Sequence, residues 1–136
     1  RDLHSFPTRR SSDLEIESRE ALEKALKYTS QYDEDRIHVL MHKAYIESKC
    51  HNIGEALKAL EDAMKLSENQ GELEFHLLMG EILLENDKEQ EAAEQFEIAY
   101  NESQNKQQTL LTIGIAYAEA MHYDTALSLL ETYMEN

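Results

Sequence analysis

The sequence predicts an all-α protein, an α-solenoid of stacked antiparallel helical hairpins with about seven helices, and three observations carry that expectation. A 34-residue echo runs through the second half: Met79, Gly80, Leu83, Ala92 and Phe96 are answered by Ile113, Gly114, Tyr117, Ala126 and Leu130. The pattern recurs upstream with a two-residue slip, Ala56, Leu60 and Ala63 preceding Ala92, Phe96 and Ala99 by 36. No linker, low-complexity run or strand pattern interrupts it. A fixed period in this range is what helical hairpins produce when each buries an apolar stripe against the next copy.

The elements follow in order. Residues 16–29 read as the second helix of a repeat whose first helix would precede it. Hairpins are expected at 35–49 with 53–67, 72–85 with 89–101, and 106–120 with 123–135. Asn52 with Glu55 and Asp87 with Gln90 have the spacing of capping boxes, and Asn69-Gln70-Gly71 is a turn signal between repeats. Gly80, Gly114, Ala92 and Ala126 suit places where two backbones approach within roughly 8–10 Å. Glycine within a helix costs roughly 0.8–1 kcal/mol relative to alanine, so Gly80 and Gly114 imply a close contact that offsets the loss. Met79, Ile113, Phe96 and Leu130 are then the residues that fill the space between hairpins.

These residues resemble the tetratricopeptide repeat. The third copy carries its pattern in Leu110, Ile113, Gly114, Tyr117, Tyr123, Ala126 and Leu130. The second carries Met79, Gly80, Leu83, Ala92, Phe96 and Ala99, with Glu89 where the family has an aromatic residue. The first is partial: Ala44, Ile53, Ala56, Leu60 and Ala63 fit, but Lys43 occupies the large position, so its first helix is expected to shift in register. The family's inter-repeat proline is absent. The resemblance covers residues 35–136 and implies a right-handed solenoid with repeats at about 35–70, 71–105 and 106–136 after a partial repeat at 14–34.

Residues 1–13 resemble the translation of a common short-read sequencing adapter; all thirteen codons fit one frame, and Leu14 follows from the leftover bases. They are expected to be a non-native, disordered tail and are left out of fold reasoning. The domain 14–136 is then expected to be truncated at both ends, with an apolar side at Leu129 and Tyr133 left uncovered. The chain has 28 acidic and 13 basic residues. Without the tail, which holds two of the carboxylates and three arginines, 26 face 10. A field that negative argues against nucleic acid or an anionic membrane as partner. Cys50 is alone, so no internal disulfide is expected, and no apolar run approaches the length of a membrane span. A cytoplasmic location is the expectation from these features.

Sites of chemistry are sparse. His38 and His42 lie one helical turn apart with Cys50-His51 downstream, but Val39 stands where a zinc protease needs glutamate and no third ligand is fixed by spacing, so no metal is expected. Gly54, Gly71, Gly80 and Gly114 never form a phosphate loop, and no nucleophile motif accompanies the serines. Neither a catalytic residue nor a cofactor is expected. The family resemblance implies a concave groove lined by the first helix of each repeat. The groove positions fall on His38, Met41, Tyr45, Ser48 and Lys49, then Glu74, Leu77, Glu81, Leu84 and Glu85, then Gln108, Leu111, Ile115, Ala118 and Glu119.

Apolar residues among carboxylates suit a basic amphipathic helix or peptide. Members that clamp the acidic tails of heat-shock chaperones use cations and asparagine at positions held here by Met41, Tyr45, Leu78, Gln108 and Thr112, so that clamp is not expected. The expected function is a non-catalytic protein-interaction scaffold. A regulatory or sensory segment of a larger signalling enzyme or transcription regulator, and a structural protein that self-associates through uncapped repeat ends, stay open beside it.

Overall fold

A computed structural model describes residues 11–29, 34–68 and 72–135. The helices are α1 (Ser11–Tyr28), α2 (Glu34–Lys49), α3 (Ile53–Leu66), α4 (Leu73–Glu85), α5 (Glu89–Glu102), α6 (Lys106–Glu119) and α7 (Tyr123–Glu135). No strand occurs among the described residues. From α2 onward each boundary lies within one residue of the expected one at either end. α1 begins at Ser11 rather than Ile16, so Ser11–Asp13 of the adapter-like segment are helical; residues 1–10 and Asn69-Gln70-Gly71 lie outside the described residues.

Helices pair as α2 with α3, α4 with α5 and α6 with α7, and each hairpin touches only its neighbours, through α1 with α2, α2 and α3 with α4, and α4 and α5 with α6. Every hairpin turns by the same hydrogen-bonded device. Asn52 N–H donates to Glu47 O and His51 N–H to Ser48 O; Lys88 donates to Leu83 O and Asp87 to Leu84 O; His122 donates to Tyr117 O and Met121 to Ala118 O. This is the Schellman closure, whose pivot residue must be left-handed. His51, Asp87 and Met121 have φ of 64°, 58° and 68°, at spacings of 36 and 34 that repeat the sequence period. The next helix opens on the motif alanine, Ala56, Ala92 and Ala126 donating to the carbonyls of Asn52, Lys88 and His122.

The expected capping boxes do not form. Asn52 precedes α3 but its side chain donates to Glu47 Oε2 at 3.2 Å, and Asp87 is the left-handed pivot, leaving Lys88 at the start of α5. The side-chain cap that does form is Asn105, whose Oδ1 accepts from Gln108 N–H at 3.1 Å at the start of α6. That turn is fastened further by the buried Ser103–Thr109 hydroxyl pair at 2.6 Å and by Lys106 Nζ donating to Tyr100 O at 2.9 Å.

The repeat pattern explains the core. A Cβ placed on Gly80 would strike Phe96 at Cε1 and lie 2.7 Å from its Cδ1 and Cζ, and one on Gly114 would lie 2.9 Å from Leu130 Cδ2. The partner is sixteen residues on in each case, as is Leu60 from the fully buried Ala44. Two apolar clusters result, one around Leu40, Ala44, Leu60 and Phe75, the other around Leu83, Phe96, Ile113 and Tyr117. The Phe96 and Tyr117 rings meet at 5.4 Å across the junction of α5 and α6. The register shift expected in the first repeat is absent: Ala44 and His51 keep the 36-residue spacing to Gly80 and Asp87, and Lys43 reaches out to Glu23 of α1 at 2.8 Å. Leu129 and Tyr133, expected to be uncovered, are half-buried; Tyr123, Leu127 and Met134 are the exposed apolar residues of α7.

Candidate functional site

The first helices of the three hairpins place nine side chains in a grid. In a helix, residues four apart share a face. α2 contributes Met41, Tyr45 and Lys49, α4 contributes Leu77, Glu81 and Glu85, and α6 contributes Leu111, Ile115 and Glu119, related by the same 36 and 34 steps as the turns. The first row is apolar and half-buried: Met41 packs against the first cluster and Leu77 against the second. The second row joins the partly exposed Tyr45 and Ile115 on either side of Glu81. The third row is charged, Lys49, Glu85 and Glu119.

Charges in this grid are unequally satisfied. Lys49 Nζ bonds Glu85 Oε1 at 2.8 Å and lies 5.3 Å from the Tyr45 ring centre. Burial works against the Lys49 charge, but the Glu85 hydrogen bond, with the fields of Glu85, Tyr45 and Glu119, holds its pKa above the ordinary lysine value. The Glu81 carboxylate has no hydrogen-bond partner among the described residues. Its burial, then repulsion from Glu119, push its carboxyl up to about 7, with Lys49 pulling the other way and Glu85 adding repulsion. Three helices thus surround one strained carboxylate with a single committed cation.

Other expected site residues fall elsewhere. Leu84 is 2% exposed in the core cluster with Phe96, so it is removed from the candidate contact surface; it is part of the packing that positions Glu81 and Glu85. Ser48 is equally buried, its hydroxyl without a partner. Glu74, Gln108 and His38 are exposed near the starts of their helices, and Ala118 is half-buried. The His42 ring donates from Nδ1 to His38 O at 2.9 Å, which ties the two histidines into a local backbone contact. Among the described residues no group of three His, Cys, Asp or Glu side chains is arranged to hold a metal, and no helix is long and apolar enough to cross a membrane. Lys49 is the residue whose weight sequence reasoning underrated; its place 36 residues before Glu85 was the available signal. Comparison with protein-family models, curated proteins and solved structures returns no match.

Proposed function

We propose that this chain is a tetratricopeptide-like, non-catalytic interaction module that takes a basic amphipathic segment of a partner protein across the face of α2, α4 and α6. The observation that supports it is the unpaired Glu81, half-buried between Tyr45 and Ile115 in the grid and repelled by Glu119. A lysine or arginine side chain entering there would supply the missing counter-charge, and Met41, Leu77 and Leu111 would meet the ligand's apolar residues. Cation binding favours the ionised carboxylate, so the two equilibria are linked. Affinity for a basic peptide should rise as pH is raised through about 7, with a proton released per complex in that range.

The test is titration of a lysine-bearing amphipathic peptide at acidic and alkaline pH, by calorimetry in two buffers of different ionisation heat. Glu81→Gln should abolish the pH dependence. Equal capture of acidic peptides, or a pH response untouched by that substitution, would overturn the reading.

A further inference from the structure

A second groove lies on the opposite helices, and nothing in the first proposal uses it. α5 presents Ala93, Glu97 and Tyr100, and α7 presents Thr125, Leu129 and Thr132, each set spaced as one helix stripe. Between them is an open cavity of about 410 Å³ whose floor is Leu110, Ile113 and Tyr117 of α6. The walls are almost wholly apolar in character, with Glu97 the charged residue on the rim.

The corresponding place one repeat earlier is occupied differently. Stepping back by the 34-residue period converts Leu110 to His76 and Leu129 to Gln95, and His76 Nδ1 is 2.9 Å from Gln95 Oε1. A polar pair thus bridges the earlier position, whereas two leucines leave the later one apolar. An apolar hollow with no side chain of its own to fill it gains free energy when a partner removes it from water.

Backbone chemistry and charge define what fits. The walls are helices whose N–H and C=O groups are already paired, so an extended peptide would find no backbone partners there. A helix brings its own bonds satisfied, and can seat its ridge between two others. From Glu89 to Glu135 the sole lysine or arginine is Lys106, against nine carboxylates, and its ammonium is held by the carbonyls of Tyr100 at 2.9 Å and Asn101 at 3.2 Å. A second copy of this chain, at a net charge of −15, meets like charge on this surface. We infer that the groove between α5 and α7 docks an amphipathic helix of a partner protein, with large apolar residues on one stripe and lysine or arginine along its edges.

The probe is a synthetic helix-forming peptide of roughly 18 residues, with leucine and phenylalanine at helical spacing and lysine on the flanks, together with a twin carrying glutamate for lysine. The 136-residue chain is titrated with each by fluorescence anisotropy, and amide shifts map the contact. Ala93→Arg and Thr132→Arg alter exposed positions, so the helices persist, which circular dichroism checks. Each should weaken the lysine peptide by about tenfold or more, the glutamate twin should bind at least that much more weakly, and shifts should centre on α5 and α7. Binding unchanged by both arginine substitutions, equal binding of the twin, or shifts confined to α2, α4 and α6 would overturn the inference. The last outcome would leave the first proposal standing, and Glu81→Gln, expected to have little effect on this groove, separates the two failures. Loss of self-association in the arginine variants, by sedimentation, would instead assign the groove to a second copy and overturn the partner named here.

Discussion

Where α1 meets α2, ion pairs and charged hydrogen bonds join the packing of Leu26 against the first cluster. Arg19 Nε bonds the buried Glu47 at 2.5 Å, Lys43 reaches Glu23, and Arg36 donates to the carbonyls of Leu26 and Thr29 at 2.8 and 3.3 Å. Where α4 meets α5 and α6 the contact is a phenylalanine laid on a glycine and a tyrosine against that phenylalanine. The two junctions are therefore held in different ways. Close packing specifies one geometry, because any added atom must displace its neighbours. The ionic junction tolerates displacement, since Arg19 is half exposed and can turn to water, and Leu14 and Ile16 of α1 remain open to solvent. Stability should accordingly rise from α1 toward the second and third hairpins.

The largest expected effect breaks the packed junction. Gly80→Leu places a side chain in the Phe96 ring and should lower stability by about 3 kcal/mol, with Gly80→Ala costing about 1–2. Gly114→Ala should cost under about 1 kcal/mol, because the flexible end of the half-buried Leu130 can yield. Urea denaturation measures all three, and Glu94→Leu on the exposed face of α5 is the control. Equal tolerance at Gly80 and Glu94 would remove the physical basis of the repeat alignment.

Glu81 sharpens the comparison at the point where α2, α4 and α6 meet. Its folded pKa, about 7, lies above the ordinary 4.5, so folding takes up a proton between those values. The protein binds more protons folded than unfolded there, and stability from this group is full below pH 4.5 and lost as pH rises through about 7. Glu81→Gln should remove that slope and raise stability at alkaline pH by on the order of 2 kcal/mol. Thermal melts across the range provide the measurement; an unchanged slope would place the charge elsewhere.

At the ionic junction, Glu47→Ala should cost about 1–2 kcal/mol. The loss should appear as faster amide exchange in α1, while α4 to α7 keep their protection. The wild-type junction should also loosen with added salt, whereas the Phe96 junction should not. Uniform loss of protection along the chain would show that the two junctions are one cooperative unit. The smallest effect is at the turns. Met121→Gly relieves a left-handed side chain and should add about 0.5–1 kcal/mol, with Asp87→Gly adding less because aspartate tolerates that conformation better. Urea midpoints for the two variants check it, and destabilisation by both would mean that the pivot side chains make contacts that matter.

What was legible in the sequence depended on how directly a residue type reports its surroundings. Gly80, Gly114 and the alanines name close approaches, since only small residues fit them, and the period then places the helices to within a residue from α2 onward. Polar spacing was less informative. Asn52 with Glu55, Asp87 with Gln90 and Asn105 with Gln108 share one spacing, yet only Asn105 caps its helix, because Glu47 engages the Asn52 side chain and a Schellman turn takes Asp87 as its pivot. The site was half legible. The family resemblance implied that Met41, Tyr45, Leu77, Glu81, Glu85, Leu111, Ile115 and Glu119 share a groove, but it also implied Leu84, one residue from Glu85, which turns into the core.

The sequence by itself determined the repeat period, the all-α class, the helix boundaries from α2 onward and the acidic character, because each follows from local spacing or composition. Only the tertiary structure decided which of many carboxylates is strained. Glu81, Glu85 and Glu119 are alike as residues; they differ in where Lys49 can reach and how much water is left beside them. It also decided that His76 and Gln95 bond across one inter-helix position while Leu110 and Leu129 line an open groove at the next. Desolvation and cross-helix contact are properties of a neighbourhood assembled from residues some 34 apart, and no single stretch of chain contains them.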